Sequence, residues 1–149
     1  MFLTITGKCP SVNRKTLTDA VGFYADYLKI AKSKVDLLLD FELNLCKYTG
    51  DEGYCVNEGD GNYNITLDPK FSKRKILIAL AHEMVHLKQH IKRELSWNER
   101  YKMHRFKGQM YHENTNYWDC PWEIEAYGRE LGLYRMFMEN KKIVKNNKK

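Results

Sequence analysis

The 149-residue sequence predicts a single α+β domain, a small and mainly antiparallel sheet with a backing helix, followed by two longer helices. Three observations carry this reading. From Val35 to Leu45 apolar residues alternate with polar ones almost strictly, the period of a strand with one buried face. From Ser72 to Glu94 the chain runs without Gly or Pro and is apolar nearly all round between Ile76 and Ala81, the mark of an interior helix. Pro121 then stands where a helix tolerates proline best, in its first turn, ahead of a third helical stretch.

Taken in order, Phe2–Thr6 alternates as a short strand and ends before the turn at Cys9-Pro10. Leu17, Ala20, Val21, Tyr24, Leu28 and Ala31 recur at three- and four-residue steps, so Lys15–Ala31 reads as a helix with one buried face. After the alternating stretch, Tyr54–Asn57 and Asn62–Leu67 flank Asp60-Gly61, a pair suited to the positive φ angles of a tight turn. The middle of the chain is thereby expected to be an antiparallel meander. Ser72 is a good N-cap for the second helix. Leu95–Cys120 is aromatic and poorly periodic, with one hairpin expected around "HRFKGQMY" and a place in a cleft wall. The last helix is expected to turn Ile124, Ala126, Leu131, Tyr134 and Met138 inward.

The net charge is +6, but Lys141–Lys149 hold five lysines and no acid, leaving +1 for the other 140 residues. The expected division is a domain over 1–140 and a basic flexible tail over 141–149, able to make weak nucleic-acid contact. Cys9, Cys46, Cys55 and Cys120 lack paired spacing and read as free thiols in a reducing compartment. No apolar run approaches the length of a membrane span, and the N-terminus lacks the order of a signal peptide. A cytoplasmic monomer without membrane contact is the expectation.

The interior helix carries "AHEMVHLKQH". Residues four apart differ by about 40° in direction and about 6 Å along the axis, so His82 and His86 can reach one ion. Neutral imidazoles suit zinc, and Glu83 on the next flank can face a water. His90 lies about 12 Å from His82 along the axis, too far to share that ion, and reads as a surface residue. A catalytic zinc needs a third protein ligand, and "PWEIEAY" offers Glu123 and Glu125. They point about 200° apart, so only one is expected to face the histidines; Glu123 shares its face with the small Ala126, Glu125 with Gly128 and Arg129. On its own, Glu123 in a first turn also reads as a cap.

A strand, an HExxH helix, a long connection and a helix bearing E-x-x-A resemble the gluzincin metallopeptidases, and most closely their minimal members and the small SprT-like proteins of phages. The resemblance spans roughly residues 62–135 and implies a zincin-like domain. It implies His82, His86 and Glu123 as zinc ligands, Glu83 as general base for peptide-bond hydrolysis, and Asn62–Leu67 as the edge strand that pairs with a protein or peptide substrate. Gluzincins place an aspartate where this chain has Tyr127, whose hydroxyl is then the candidate to orient a ligand histidine. SprT proteases use a third histidine, which makes His104 or His112 the rival ligand. A metzincin pattern would need a glycine and a histidine where Gln89 and Lys92 stand. Tyr117, Tyr127 and His112 are candidates for stabilising an oxyanion, and Tyr127 is the one expected to act in catalysis. Two other readings stay open: a DNA-associated protease anchored by the basic tail, and a non-catalytic domain stapled by zinc.

Overall fold

The structure is a computed structural model that describes residues 1–146 and their side chains except that of Lys145. β1 (Phe2–Ile5) leads through α1 (Arg14–Tyr27) to β2 (Asp36–Phe41). A short α2 (Leu45–Thr49), β3 (Gly53–Gly59) and β4 (Asn62–Leu67) follow, then α3 (Lys73–Ile91). β5 (Leu95–Asn98), β6 (Met103–Phe106) and β7 (Gln109–His112) precede a 3₁₀ turn at Tyr117–Asp119 and α4 (Pro121–Asn146). The α+β architecture, with the paired histidines on α3 and Glu123 on α4, is the expected one.

Three of the five strand pairings are antiparallel, but the first sheet is mixed, with order β1-β2-β4-β3. β2 is parallel to both β1 and β4, so the middle of the chain is not a meander. Within this sheet only β3 and β4 are joined by a tight turn, at Asp60 (φ 50°) and Gly61 (φ 82°), and that turn makes them antiparallel. The expected edge strand, β4, is therefore interior, and β3 holds the edge. A second sheet, β5-β6-β7, contains the anticipated hairpin, turning at Lys107-Gly108.

The alternating stretch stops being a strand at Phe41. Leu37, Leu39 and Phe41 are buried, Leu43 is 66% exposed, and Asn44 at φ 65° turns the chain so that Leu45 re-enters the core from α2. Asp68, wholly buried, accepts hydrogen bonds from the backbone N–H groups of Cys46 (3.0 Å) and Lys70 (3.1 Å). It ties α2 to the approach to α3, where Ser72 caps the helix through Lys75 N–H.

α1, α3 and α4 share one buried cluster with the sheet residues Leu37, Leu39, Ile65 and Leu67. Tyr24 of α1 donates to the Leu77 carbonyl of α3 (3.1 Å), and its ring meets Phe137 of α4. α1 ends at Tyr27 rather than Ala31, with Lys29 at φ 59°. α4 turns Ala126, Tyr134 and Met138 to the core as expected, but Ile124 is 56% exposed and Leu131 is also exposed, while Trp122, Leu133 and Phe137 are buried in addition. Glu123 and Glu130 share the inward side with these residues, and the apolar periodicity alone did not register them. α4 also continues past residue 140. Lys141 donates to Thr16 Oγ1 (3.0 Å) beside Asp19, so residues 141–146 extend the helix, and the rest of the basic tail lies outside the described residues.

All four cysteines are free. No helix among the described residues is long and apolar enough to cross a membrane.

Candidate metal centre

α3 and α4 pack along one another, and their contact is polar in two neighbouring places, at His82, His86 and Glu123 and at Lys88, Gln89 and Glu125. His82, His86 and Glu123 are each buried, and one ligand atom from each lies within 4.8 Å of the others. His82 Nε2 and His86 Nε2 are 3.1 Å apart, and each is 3.4 Å from Glu123 Oε2. Ligands about 2.0–2.1 Å from a tetrahedral ion stand about 3.3–3.4 Å from one another, which matches this triangle.

The other ring nitrogens decide which atoms are available. His82 Nδ1 is 2.8 Å from Glu130 Oε2, and a carboxylate only accepts, so Nδ1 carries the proton. His86 Nδ1 is 2.9 Å from Gln89 Oε1, with the same consequence. In the neutral rings both Nε2 lone pairs therefore face each other and a carboxylate oxygen. Three acceptors converging in a buried place need a cation between them. The triad matches a gluzincin-type zinc-binding site.

The chain matches no protein-family model, curated protein or solved structure, so this match rests on the site's own geometry. Without a cation, protons take its place. Burial pulls the His82 pKa down, but Glu123 and Glu130 outweigh it and push it up to about 9. His86 is raised in the same way, burial being overcome by Glu123 and Glu83. Burial opposes ionisation of Glu123, yet the two histidines and Tyr117 hold its carboxyl well below the usual range.

The carboxylate that orients His82 is Glu130, not a residue at position 127. Sequence reasoning missed it, although it lies seven residues beyond Glu123, two turns along the same face. Gln89, three residues after His86, was equally legible. Tyr127 packs its ring edge-on to His82 at 4.6 Å between centroids, and its hydroxyl lies 3.4 Å from that of Tyr117 rather than on a histidine. Tyr117 donates to Glu123 Oε2 at 2.8 Å. Replacing Glu130 by alanine is therefore expected to weaken metal binding by about 10- to 100-fold, while Tyr127→Phe leaves it unchanged. Competition with a coloured chelator measures both.

The rival ligands lie elsewhere. His104 sits between Trp97 and Trp122, each 4.8 Å away between ring centroids, and burial lowers its pKa. His112 is exposed and accepts from Asn114 N–H through Nδ1. His90 is half-buried against the cleft rather than a surface residue, because β5 covers that side of α3. Glu125 pairs with Arg129 (3.3 Å), with which it shares a helical face, but its partners are not confined to the surface. It reaches the far end of the α3 contact and accepts from Lys88 (2.8 Å) and Gln89 (3.0 Å), long side chains that extend to meet it. Burial resists its ionisation, but these partners hold its pKa down at about 2.

Glu83 is buried beside the triad, where desolvation pushes its pKa up to about 7 against the pull of His86 and His82. It lines two cavities, of about 560 and 230 Å³, which also share Asp51, Gly53, His82 and Tyr117. Gly53 opens edge strand β3 directly over this carboxylate. A Cβ there would lie 2.9 Å from the Thr66 carbonyl oxygen and 3.5 Å from Glu83 Cγ, so only glycine lets the strand approach so closely.

Proposed function

We propose that this protein is a zinc-dependent peptidase that hydrolyses extended peptide substrates laid along β3. The observation that carries this is the three-ligand triangle with a buried, proton-accepting Glu83 on the same cleft. Three protein ligands leave a position open, as catalytic zinc sites do and structural ones do not. Zinc held by His82, His86 and Glu123 would supply a Lewis acid that polarises a carbonyl and makes water acidic near neutrality.

The chain's own groups supply the rest. Glu83 takes a proton from water as its oxygen adds to the scissile carbonyl carbon, then passes that proton to the nitrogen as the C–N bond breaks. Its buried setting suits both acts, since burial pushes its pKa up against the pull of the neighbouring cationic groups and so makes it a better proton acceptor than an exposed carboxylate. Tyr127 lines the larger cavity together with Glu83 and His82, and it is the proposed donor to the carbonyl oxygen. Because the Tyr117 proton is engaged by Glu123, Tyr127 can only offer its own to Tyr117, and at 3.4 Å that bond is weak and easily redirected. The free edge of β3 offers backbone donors and acceptors to a substrate strand, a mode that reads length more than sequence.

Protein purified without chelators is expected to carry one zinc per chain by elemental analysis and to cleave an unstructured protein such as casein, with zinc removal abolishing cleavage and zinc restoring it. Folded protein that cleaves equally well without metal would refute the proposal. A nucleic-acid contact through the basic end of α4 is a separate proposal, whose mark is binding that weakens as salt rises.

A further inference from the structure

Behind His86 lies a hydrogen-bonded chain that the proposed chemistry does not use. The Gln89 side chain is completely buried. Its Oε1 faces His86 Nδ1 at 2.9 Å, while its Nε2 donates to the Trp122 carbonyl (3.0 Å) and to Glu125 Oε2 (3.0 Å). Glu125 in turn accepts from Lys88 Nζ (2.8 Å) and Arg129 Nε (3.3 Å), with Lys107 Nζ at 3.6 Å. Lys88 is itself buried and pairs with Glu94 at 2.5 Å, so the far end of the chain is anchored.

An amide has two ends of similar shape, and only its partners decide which end points where. If Gln89 flipped, its oxygen would face two acceptors, one of them ionised, and its NH₂ would face His86. In so buried a place that leaves several polar groups unsatisfied at once. With the amide held as it is, its oxygen demands a proton on His86 Nδ1, and the lone pair stays on Nε2, the atom in the triangle.

We propose that Glu125 is a positioning residue: by locking the Gln89 amide it fixes the His86 tautomer that leaves Nε2 free for the metal. In the sequence Glu123-Ile124-Glu125, the first glutamate then binds the ion and the second prepares a ligand for it. The inference rests on the metal-site reading above. It makes Glu125, Gln89 and His86 a unit whose members fail together and can be repaired together.

The test compares zinc-loaded wild type with Glu125→Met, of similar size but with no acceptor, and with the double variant Gln89→Glu/Glu125→Gln. In the double variant residue 89 accepts from His86 Nδ1 with one oxygen, while the other, protonated in this buried place, donates to the Trp122 carbonyl and accepts from the new amide at position 125. Zinc affinity is read by chelator competition, and the His86 Nδ1–H by its nitrogen-15-edited NMR resonance and its rate of exchange with water.

Glu125→Met is expected to lose about tenfold in affinity and to speed exchange of that proton, and the double variant to recover both to near wild type. Wild-type affinity and a protected ring proton in Glu125→Met would overturn the inference. So would a double variant no better than Glu125→Met, since Glu125 would then act only through packing. Should Glu125→Met not fold, the double variant alone decides: a protected proton and tight zinc support the inference, and their loss overturns it. Failure of the wild type to bind zinc is a different result, and it would remove the metal site rather than this relay.

Discussion

Replacing Glu83 by glutamine is expected to leave the protein folded with its zinc bound, and to lower peptide hydrolysis by about a thousandfold or more. The amide keeps the shape and the burial of the side chain but cannot take a proton. Glu83 is not one of the three side chains in the metal triangle, so metal content should hold while the rate collapses. Turnover of the variant within a few-fold of wild type would remove Glu83 as the base and favour a structural zinc. The wild-type rate should also fall on acidification, because the working form of Glu83 is the deprotonated one. Burial raises its pKa to about 7 without the cation, and a bound cation lowers it, so the fall belongs on the acid side of neutrality. A pH series at saturating zinc, with metal content checked at each point, separates this from loss of the ion.

Glu123→Ala should weaken zinc binding by more than about a hundredfold, beyond what loss of a supporting hydrogen bond costs. Two imidazoles remain, with their Nε2 atoms 3.1 Å apart and no anionic ligand between them. His104→Ala and His112→Ala should bind zinc as wild type does, since one ring is packed between two tryptophans and the other is exposed. Chelator titration of the three variants reads the result directly. Retained affinity in Glu123→Ala, with loss in either histidine variant, would transfer the third ligand to the β6–β7 hairpin.

Much of the site was legible because its members lie on helices, where spacing converts directly into direction. His82 and His86 are one turn apart, and Glu123 stands over the small Ala126. Glu130 and Gln89 obey the same arithmetic, but a lone glutamate or glutamine on a helix has no signature of its own until the ring nitrogen it meets is known. The β-structure was less legible. Alternation in Val35–Leu45 shows that one face is buried, but it carries no information about which strand lies alongside or in which direction. The sequence also predicted Leu43 on the strand, whereas Asn44 at positive φ bends the chain away.

By itself, then, the sequence determined the α+β class, the caps and turns, the interior helix and the His82–His86 pair, all of which depend on residues within a few turns of one another; the packing of α4 on α3 then chose Glu123 over Glu125, His104 and His112. Only the tertiary structure decided that β3 rather than β4 is the free edge, that Gly53 sits over Glu83, and that Glu130 and Gln89 hold the two imidazoles. It likewise decided that Glu125 belongs to a buried network. The contacts from Gly53 to Glu83, from Glu130 to His82 and from Glu125 to Gln89 join residues 30 to 48 apart in the chain. Their partners are selected by how the helices pack and how the strands order, which no local period records.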